Sequence, residues 1–216
     1  NINDTLKINN SIIIVGKDCK RKNIWRMNLY PKYKSNRTHD PYVGHFFELA
    51  YSKLYEEAGV HRFLEHPQLE ADDCIALYTK YITDKYPNSK VSIMTADADY
   101  IQLIKKNVEI IKPKRGDPYT FISNNMNNTD PEKELFCKIL SGDKSDFIPN
   151  IFKGCGPKTA EKCYKDKDFF NEKLKNKEIE KIYELNKKII DMNNIPKDLQ
   201  KEFYETNLSN KKLKTN

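Results

Sequence analysis

A chain of 216 residues, 38% hydrophobic and 32% charged, can bury a full core, and 38 Lys plus Arg against 31 Asp plus Glu leave it at +7. No apolar run approaches the roughly 20 residues of a membrane span, and five cysteines without a C-x-x-C pair imply neither a zinc knuckle nor a disulfide framework. The balance excludes a membrane protein and a disulfide-stapled secreted domain, and it favours a reducing compartment and a polyanionic partner.

The first residue is Asn1 rather than Met, and the opening ten residues run directly into a strand, so a segment upstream is expected. Ser11 to Val15 is short, β-branched and apolar, and reads as a buried parallel strand, as do Val91 to Thr95 and Val108 to Ile111. Helical spacing of Phe46, Phe47, Ala50 and Leu54 predicts a helix over Tyr42 to Ala58, and Ile75, Tyr78 and Ile82 predict another over Asp72 to Tyr86. Strand and helix in alternation imply an α/β fold with a mainly parallel central sheet flanked by helices. From Asp130 onward the pattern is helical. Pro131 marks a helix start, and a glycine break at Gly154-Cys155-Gly156-Pro157 divides two helical stretches. Further helices are predicted over Asp168 to Asn176, Glu178 to Met192 and Lys197 to Thr206, with a frayed end after 208. The expected division is an α/β part over 1–129 and a helical part over 130–216. No internal repeat is visible.

Eight acids fall into four clusters: Asp18; Glu70, Asp72 and Asp73; Asp97 and Asp99; Asp143 and Asp146. Asp18 follows the first strand and Asp97 and Asp99 follow the second, at the sheet edge where α/β proteins bind ligands. Three acids in four positions at a helix start exceed what capping needs, and Glu70 and Asp73 would repel on one face without a cation. Asp97 and Asp99 alternate, and would point the same way if strand geometry persisted beyond Thr95. Asp143 and Asp146 share one face of a turn or helix start. Taken singly, the Glu70 cluster already favours a metal over capping, the Asp97 pair is a weak signal beside a polar turn, and the Asp143 pair is explained equally well by a capped helix. Together they suit two divalent ions about 3.5–4 Å apart, which need several carboxylates.

The cations are also localised. Lys17, Lys20, Arg21, Lys22, Arg26, Lys32, Lys34 and Arg37 stand against Asp18 alone, interleaved with Trp25, Tyr30 and Tyr33, a mixture suited to phosphates and unstacked bases. The Gly154 to Ala160 turn leads into a helix and can offer backbone N–H groups to an anion. The four histidines have no ligand spacing and are assigned no role.

In order along the chain, Asp18, Trp25-Arg26, Pro31 to Arg37, Glu70 to Asp73, Thr95 to Asp99 with Gln102-Leu103, Gly142 to Asp146, and Gly154 to Ala160 resemble the blocks of the 5′-nuclease family, the flap endonucleases and 5′-3′ exonucleases. The resemblance implies a PIN-like nuclease domain, a helical arch over about 38–69, and a helix-hairpin-helix-type motif around 142–165. It implies that Asp18, Glu70, Asp72 and Asp73 hold or support one Mg²⁺ (or Mn²⁺), with Asp97, Asp99, Asp143 and Asp146 completing a pair. Lys34 and Arg37 would contact the scissile phosphate, with Arg26 and Tyr33 at the DNA and Tyr33 stacking on the terminal base. Gly154, Gly156, Lys158 and Thr159 would grip duplex backbone, with K⁺ at that turn. The implied partner is DNA with a 5′ flap or free 5′ end, or an RNA–DNA hybrid, bound by a monomer in the cytoplasm, the nucleoid or a DNA-containing organelle. The family's first strand ends in another metal-binding Asp, and no apolar run precedes Asp4 to match it. That departure makes a non-catalytic DNA-binding module the main alternative. A phosphatase of the haloacid dehalogenase type also has an Asp-x-Asp after a strand, but Tyr100 and the position of the motif in mid-chain fit it poorly.

Overall fold

The computed structural model describes residues 11–37, 41–114 and 117–208. In chain order these form β1 (Ile14–Gly16), α1 (Pro41–Leu49), β2 (Arg62–Leu64), α2 (Ala71–Lys85), β3 (Val91–Met94), a 3-10 helix Ala98–Leu103, β4 (Val108–Lys114), β5 (Asp117–Asn124), α3 (Pro131–Ser141), α4 (Pro157–Lys165), α5 (Lys167–Leu174), α6 (Lys177–Ile190) and α7 (Lys197–Leu208). The fold is α/β, as expected. Asp4 and the frayed end after 208 lie outside the described residues. The chain divides into two compact units, Asn1–Ile24 with Arg37–Ile75 and Lys197–Asn216, and Trp25–Asn36 with Ala76–Pro196. These units cut the chain differently from the expected division at residue 129.

In the first unit β1 and β2 pair in parallel, with Ile14 opposite Arg62 and Gly16 opposite Leu64. β1 begins later than expected, and β2 lies inside the interval expected to be arch. Three residues, Arg62 to Leu64, are too few to register as a strand by alternation. α1 runs without a break into a π-helical segment, Ala50–Leu54, and a last α turn, Tyr55–Glu57. Its Tyr51 packs edge-on against Phe63 of β2 at 5.7 Å between ring centres. α7 is tied to the end of β2: Arg62 donates to the Asn207 carbonyl at 2.9 Å, and the Asn207 amide donates to the Glu65 carbonyl at 3.1 Å. Phe203 and Leu64, both fully buried, fill the core of this unit.

Gly16 sets the approach of α2 to β1. A Cβ at Gly16 would stand 2.7 Å from the Ala71 carbonyl oxygen and 3.0 Å from Ile75 Cγ1. Glycine alone therefore lets the first turn of α2 lie against the strand end.

In the second unit β3 pairs in parallel with β4, with Val91 opposite Val108 and Met94 opposite Ile111. β5 runs antiparallel to β4, with a bulge between Pro113 and Lys114, so this sheet is mixed rather than wholly parallel. β5 escapes the sequence pattern because it is a half-exposed hairpin strand without a continuous apolar run, and its Asn-rich end reads as loop. Ile93, Val108, Ile110 and Ile111 are buried in this sheet, and Leu140, Ile151 and Ile189 among the helices. Fully burying each such side chain contributes about 1.5–3 kcal/mol. The helices start where capping chemistry places them: Asp130 accepts from Lys133 N–H ahead of Pro131, Asp166 from Phe169 N–H, and Asn176 from Glu178 N–H. Buried Asn186 donates to the Ile139 and Pro149 carbonyls at 2.9 and 2.7 Å, tying α6 to the end of α3 and to the turn that follows it.

Gly16→Ala is expected to lower stability by about 1–3 kcal/mol, the usual cost of overpacking, read as a lower urea midpoint at unchanged slope. An unchanged midpoint would show that the strand and helix can part without loss.

Candidate metal centre

The first turn of α2 collects the acids of the first unit. Glu70, Asp72 and Asp73 each offer a carboxylate oxygen, and these lie within 4.8 Å of one another. Glu70 and Asp73 are buried, 3% and 0% exposed. Asp73 reaches back to accept the Glu70 N–H at 3.2 Å, and Asp18, just beyond β1, accepts the Ala71 N–H at 2.8 Å. Two donors left unpaired by the helix start are thereby satisfied, and the positive end of the helix dipole faces the carboxylates. Asp18 reaches Ala71 because Gly16, two residues earlier, permits the close approach. The negative field is felt nearby: burial, and then the charges of Glu70, Asp18 and Asp73, push the Cys19 thiol up to about 12. Burial followed by Asp18 does the same to the Tyr51 phenol, also to about 12.

The acids of the second unit are arranged around a lysine. Lys138, in the last turn of α3, donates to Asp99 and, at 2.8 Å, to Asp143 Oδ2. Asp97 does not continue β3. It caps the 3-10 helix by accepting the Asp99 N–H at 2.9 Å, so its relation to Asp99 is that of a cap to the first turn and not of alternation along a strand. Asp143 starts a turn, not a helix, and exchanges backbone hydrogen bonds with Ile148 at 2.9 and 2.7 Å. Gly142 makes that turn possible. Its φ is +67°, and a Cβ would stand 2.4 Å from the Pro149 carbonyl oxygen and 2.5 Å from that of Ile148. Inside the turn, Ser145 N–H and Oγ–H donate to Asp143 Oδ1 at 2.7 and 2.6 Å.

These contacts separate the two carboxyls. Burial raises the Asp99 carboxyl, and the opposing pull of Lys138 does not cancel it. Burial also acts to raise Asp143, but hydrogen bonds from Lys138 and Ser145 outweigh it and hold that carboxyl at about 2. The Lys138 ammonium is raised: burial disfavours the charge, and the two carboxylates more than compensate.

Asp146 is buried within the same turn. Tyr33 donates its phenol O–H to Asp146 Oδ2 at 3.3 Å, Lys34 Nζ stands 3.8 Å from the same oxygen, and the Lys34 N–H donates to the Asp146 carbonyl at 2.8 Å. Asn36 donates to the Lys144 carbonyl at 2.9 Å, so the segment ending at Asn36 is docked along the whole turn. Lys34 takes a left-handed φ of 54° at this junction.

Two residues expected at the DNA are buried. Tyr33 is 3% exposed, and its hydroxyl donates to Asp146. Arg26, also 3% exposed, donates Nε–H to the Ile189 carbonyl at 2.8 Å and lies over the Trp25 ring. Arg37 is exposed, and its carbonyl accepts from Arg21 at 2.8 Å. In the glycine turn Thr159 donates its hydroxyl to the Gly154 carbonyl at 3.1 Å, while Lys158 is exposed at the start of α4 with Gly156 as its N-cap. Lys138 was not anticipated. A lysine five residues before Asp143, in the last turn of a helix that ends in Gly142, was its only signal.

The description "5′-3′ exonuclease, N-terminal resolvase-like domain" matches residues 2–135, and the chain belongs to this 5′-3′ exonuclease family. A 5′-3′ exonuclease of Aquifex aeolicus is 33% identical over 139 residues, covering 62% of this chain and 46% of the relative. The thermostable DNA polymerase I of Thermus thermophilus is 30% identical over 161 residues, 74% of this chain but 19% of that protein. The chain thus spans less than half the length of these curated relatives. Among solved structures, the T5 D15 protein co-crystallised with metal ions superposes with a TM-score of 0.67 at 17% identity, over 95% of this chain and 85% of that one. The T5 D15 flap endonuclease in a complex with DNA and metal ions gives 0.65 over the same shares at the same identity. These likenesses establish the fold. Membership of the exonuclease family also removes the phosphatase alternative.

In metal-free protein, carboxyl NMR is expected to show Asp143 titrating near 2 and Asp99 above its ordinary 3.8. Folded Asp143 lies below its unfolded value, so its stabilisation is present at neutral pH and lost as pH falls from about 4 through about 2. Asp99 has the opposite sign, costing stability at neutral pH and releasing that cost on acidification. Lys138→Met should raise both titrations, and an unmoved Asp143 would show that Ser145 alone sets it.

Proposed function

We propose that this chain is a structure-specific 5′ nuclease, a 5′-3′ exonuclease and flap endonuclease, which hydrolyses DNA phosphodiesters with two divalent metal ions. The observation that carries the reading is the set of carboxylates at the start of α2, three oxygens within 4.8 Å, with two of the acids buried. Hard oxygen donors so placed suit Mg²⁺ or Mn²⁺ and not a soft metal. Glu70, Asp72 and Asp73, with Asp18, would hold one ion, and Asp97, Asp99, Asp143 and Asp146 the other. Such ions supply charge stabilisation at the phosphate oxygens and a water of lowered pKa.

The chain's own groups do the rest. Asp18 and Asp73 fix the helix start that presents the carboxylates. Lys34, restrained by Asp146 and lying over the Tyr33 ring at 5.1 Å, and exposed Arg37 neutralise phosphate charge. Lys138 offsets the mutual repulsion of Asp99 and Asp143. Residues 130–196 would carry duplex DNA, with the turn at Gly154 to Ala160 on its backbone and K⁺ as a further ion there. Support comes from family membership, and from the fold shared with a T5 flap endonuclease that was crystallised with DNA and metal ions. All five cysteines are free thiols, in keeping with a reducing compartment, and no helix among the described residues is long and apolar enough to cross a membrane.

The test is cleavage of a labelled 5′-flap DNA. Turnover should require Mg²⁺ or Mn²⁺ and stop with EDTA. Asp73→Asn should lose more than about 100-fold, because groups that merely support metal ligands already cost 10–100-fold when removed. Flap binding without turnover at millimolar Mg²⁺ would leave a DNA-binding module and end the nuclease reading.

A further inference from the structure

Phe147, in the turn between α3 and α4, is poorly matched to its own backbone. Its φ is +61°, and Lys34, at 54°, is the other non-glycine residue in the left-handed region among the described residues. That conformation suits Gly, Asn or Asp and is unfavourable for a bulky side chain. The turn demands it. Asp143 and Ile148 exchange backbone hydrogen bonds at 2.9 and 2.7 Å, and the Phe147 N–H donates to the Lys144 carbonyl at 3.3 Å. A glycine or an asparagine would close the same turn with less strain.

The core does not account for the ring either. Phe147 is 45% exposed, whereas Asp146 before it and Ile148 after it are buried. Phe136, Tyr164, Phe170 and Tyr183 pack on one another in this unit, and Phe147 joins none of these pairs. Its backbone is nonetheless held. Tyr30 donates its phenol O–H to the Phe147 carbonyl at 3.2 Å, the Lys34 N–H donates to the Asp146 carbonyl at 2.8 Å, and Asn36 donates to that of Lys144. The two left-handed residues therefore meet at one junction, and backbone strain of this kind collects where a group is held for a ligand. A restrained, exposed ring beside Asp146, with Lys34 and exposed Lys144 in the same junction, joins an aromatic face to cations, the combination that binds unstacked bases and their phosphates.

We propose that Phe147 is a base-stacking platform: its ring takes the face of a nucleobase flanking the scissile phosphate and positions the strand without reading its sequence, since every base has a π face. The inference rests on the nuclease reading in taking DNA as the partner and the acids beside the ring as a metal centre.

The experiment measures binding of 5′-flap DNA to the full chain and to Phe147→Leu, with Ca²⁺ in the oxygen-lined sites. A series of flap DNAs carries one abasic site each, within about two nucleotides of the junction on either side. Stacking on an aromatic side chain changes affinity about 5- to 100-fold per base, so Phe147→Leu should weaken binding of intact flap DNA at least about fivefold. At one abasic position the substitution should cost nothing further, because the base that the ring served is gone. The same loss on every DNA overturns the proposal, as does unchanged affinity, including the case where sedimentation shows a dimer lost and the ring is a contact between copies. Phe147→Trp should restore the affinity, and its indole emission should fall as DNA saturates the chain, over a constant background from Trp25, the chain's one tryptophan, which is 4% exposed. Emission unchanged at saturation overturns the proposal, and this test decides alone if the leucine chain does not fold. The two readings fail separately. Flap cleavage in Mg²⁺ with no abasic position coupled to Phe147 sinks only the platform, and coupling without cleavage sinks only the nuclease.

Discussion

The hardest physical demand on this chain is to keep carboxylates of like charge close together in a folded protein. Within the first unit the solution is a helix start. Gly16 lets α2 approach β1 so closely that Asp18 takes the Ala71 N–H, and Asp73 takes that of Glu70. Backbone donors and the helix dipole thus receive the negative charge. Within the second unit the solution is an ammonium ion, Lys138, shared by Asp99 and Asp143. The two devices differ in one respect. N–H groups stay where the helix puts them, whereas a lysine side chain can turn aside.

Sequence reading found the acids because chemistry fixes their type and topology fixes their place. Asp18, Asp97 and Asp99 follow β-branched strands, and Glu70 to Asp73 open a helix whose apolar period is plain. It was less able to say how each acid is used. Asp97 looked like one half of an alternating pair but caps a 3-10 helix, since β3 ends at Met94. Asp143 and Asp146 looked like equals on one face, yet one is held by Lys138 and Ser145 and the other by Tyr33 and Lys34. The contacts of Asp99 with Lys138 and of Asp146 with Tyr33 and Lys34 join residues about 40 to 110 positions apart, and no local pattern encodes them. The short β2 and the hairpin strand β5 were missed for a related reason, since their pairing partners and not their own residues make them strands.

The basic, aromatic stretch before Arg37 teaches the same distinction from the other side. Composition marked it as a surface for nucleic acid. In the fold, Arg26 and Tyr33 have become interior groups that brace Ile189 and Asp146. A residue type suited to DNA is equally suited to a buried carbonyl or carboxylate, and burial decides between them. The exposed members, Lys32 and Arg37 among them, keep the surface role open to the segment.

The π-helical segment at Ala50–Leu54 bears on how this chain is compared with others. Each π turn holds one residue more than an α turn, so the helix faces before and after it are out of phase by about 100°. Residues matched one for one with a regular α-helix across this point are assigned to the wrong face on one side of it. Deleting a single residue between Ala50 and Leu54 would close the ladder into continuous α-helix. It would also swing Phe46 and Phe47 round the helix axis relative to Tyr55. The length of this helix is therefore a poor guide to its homology, and its phase is a better one.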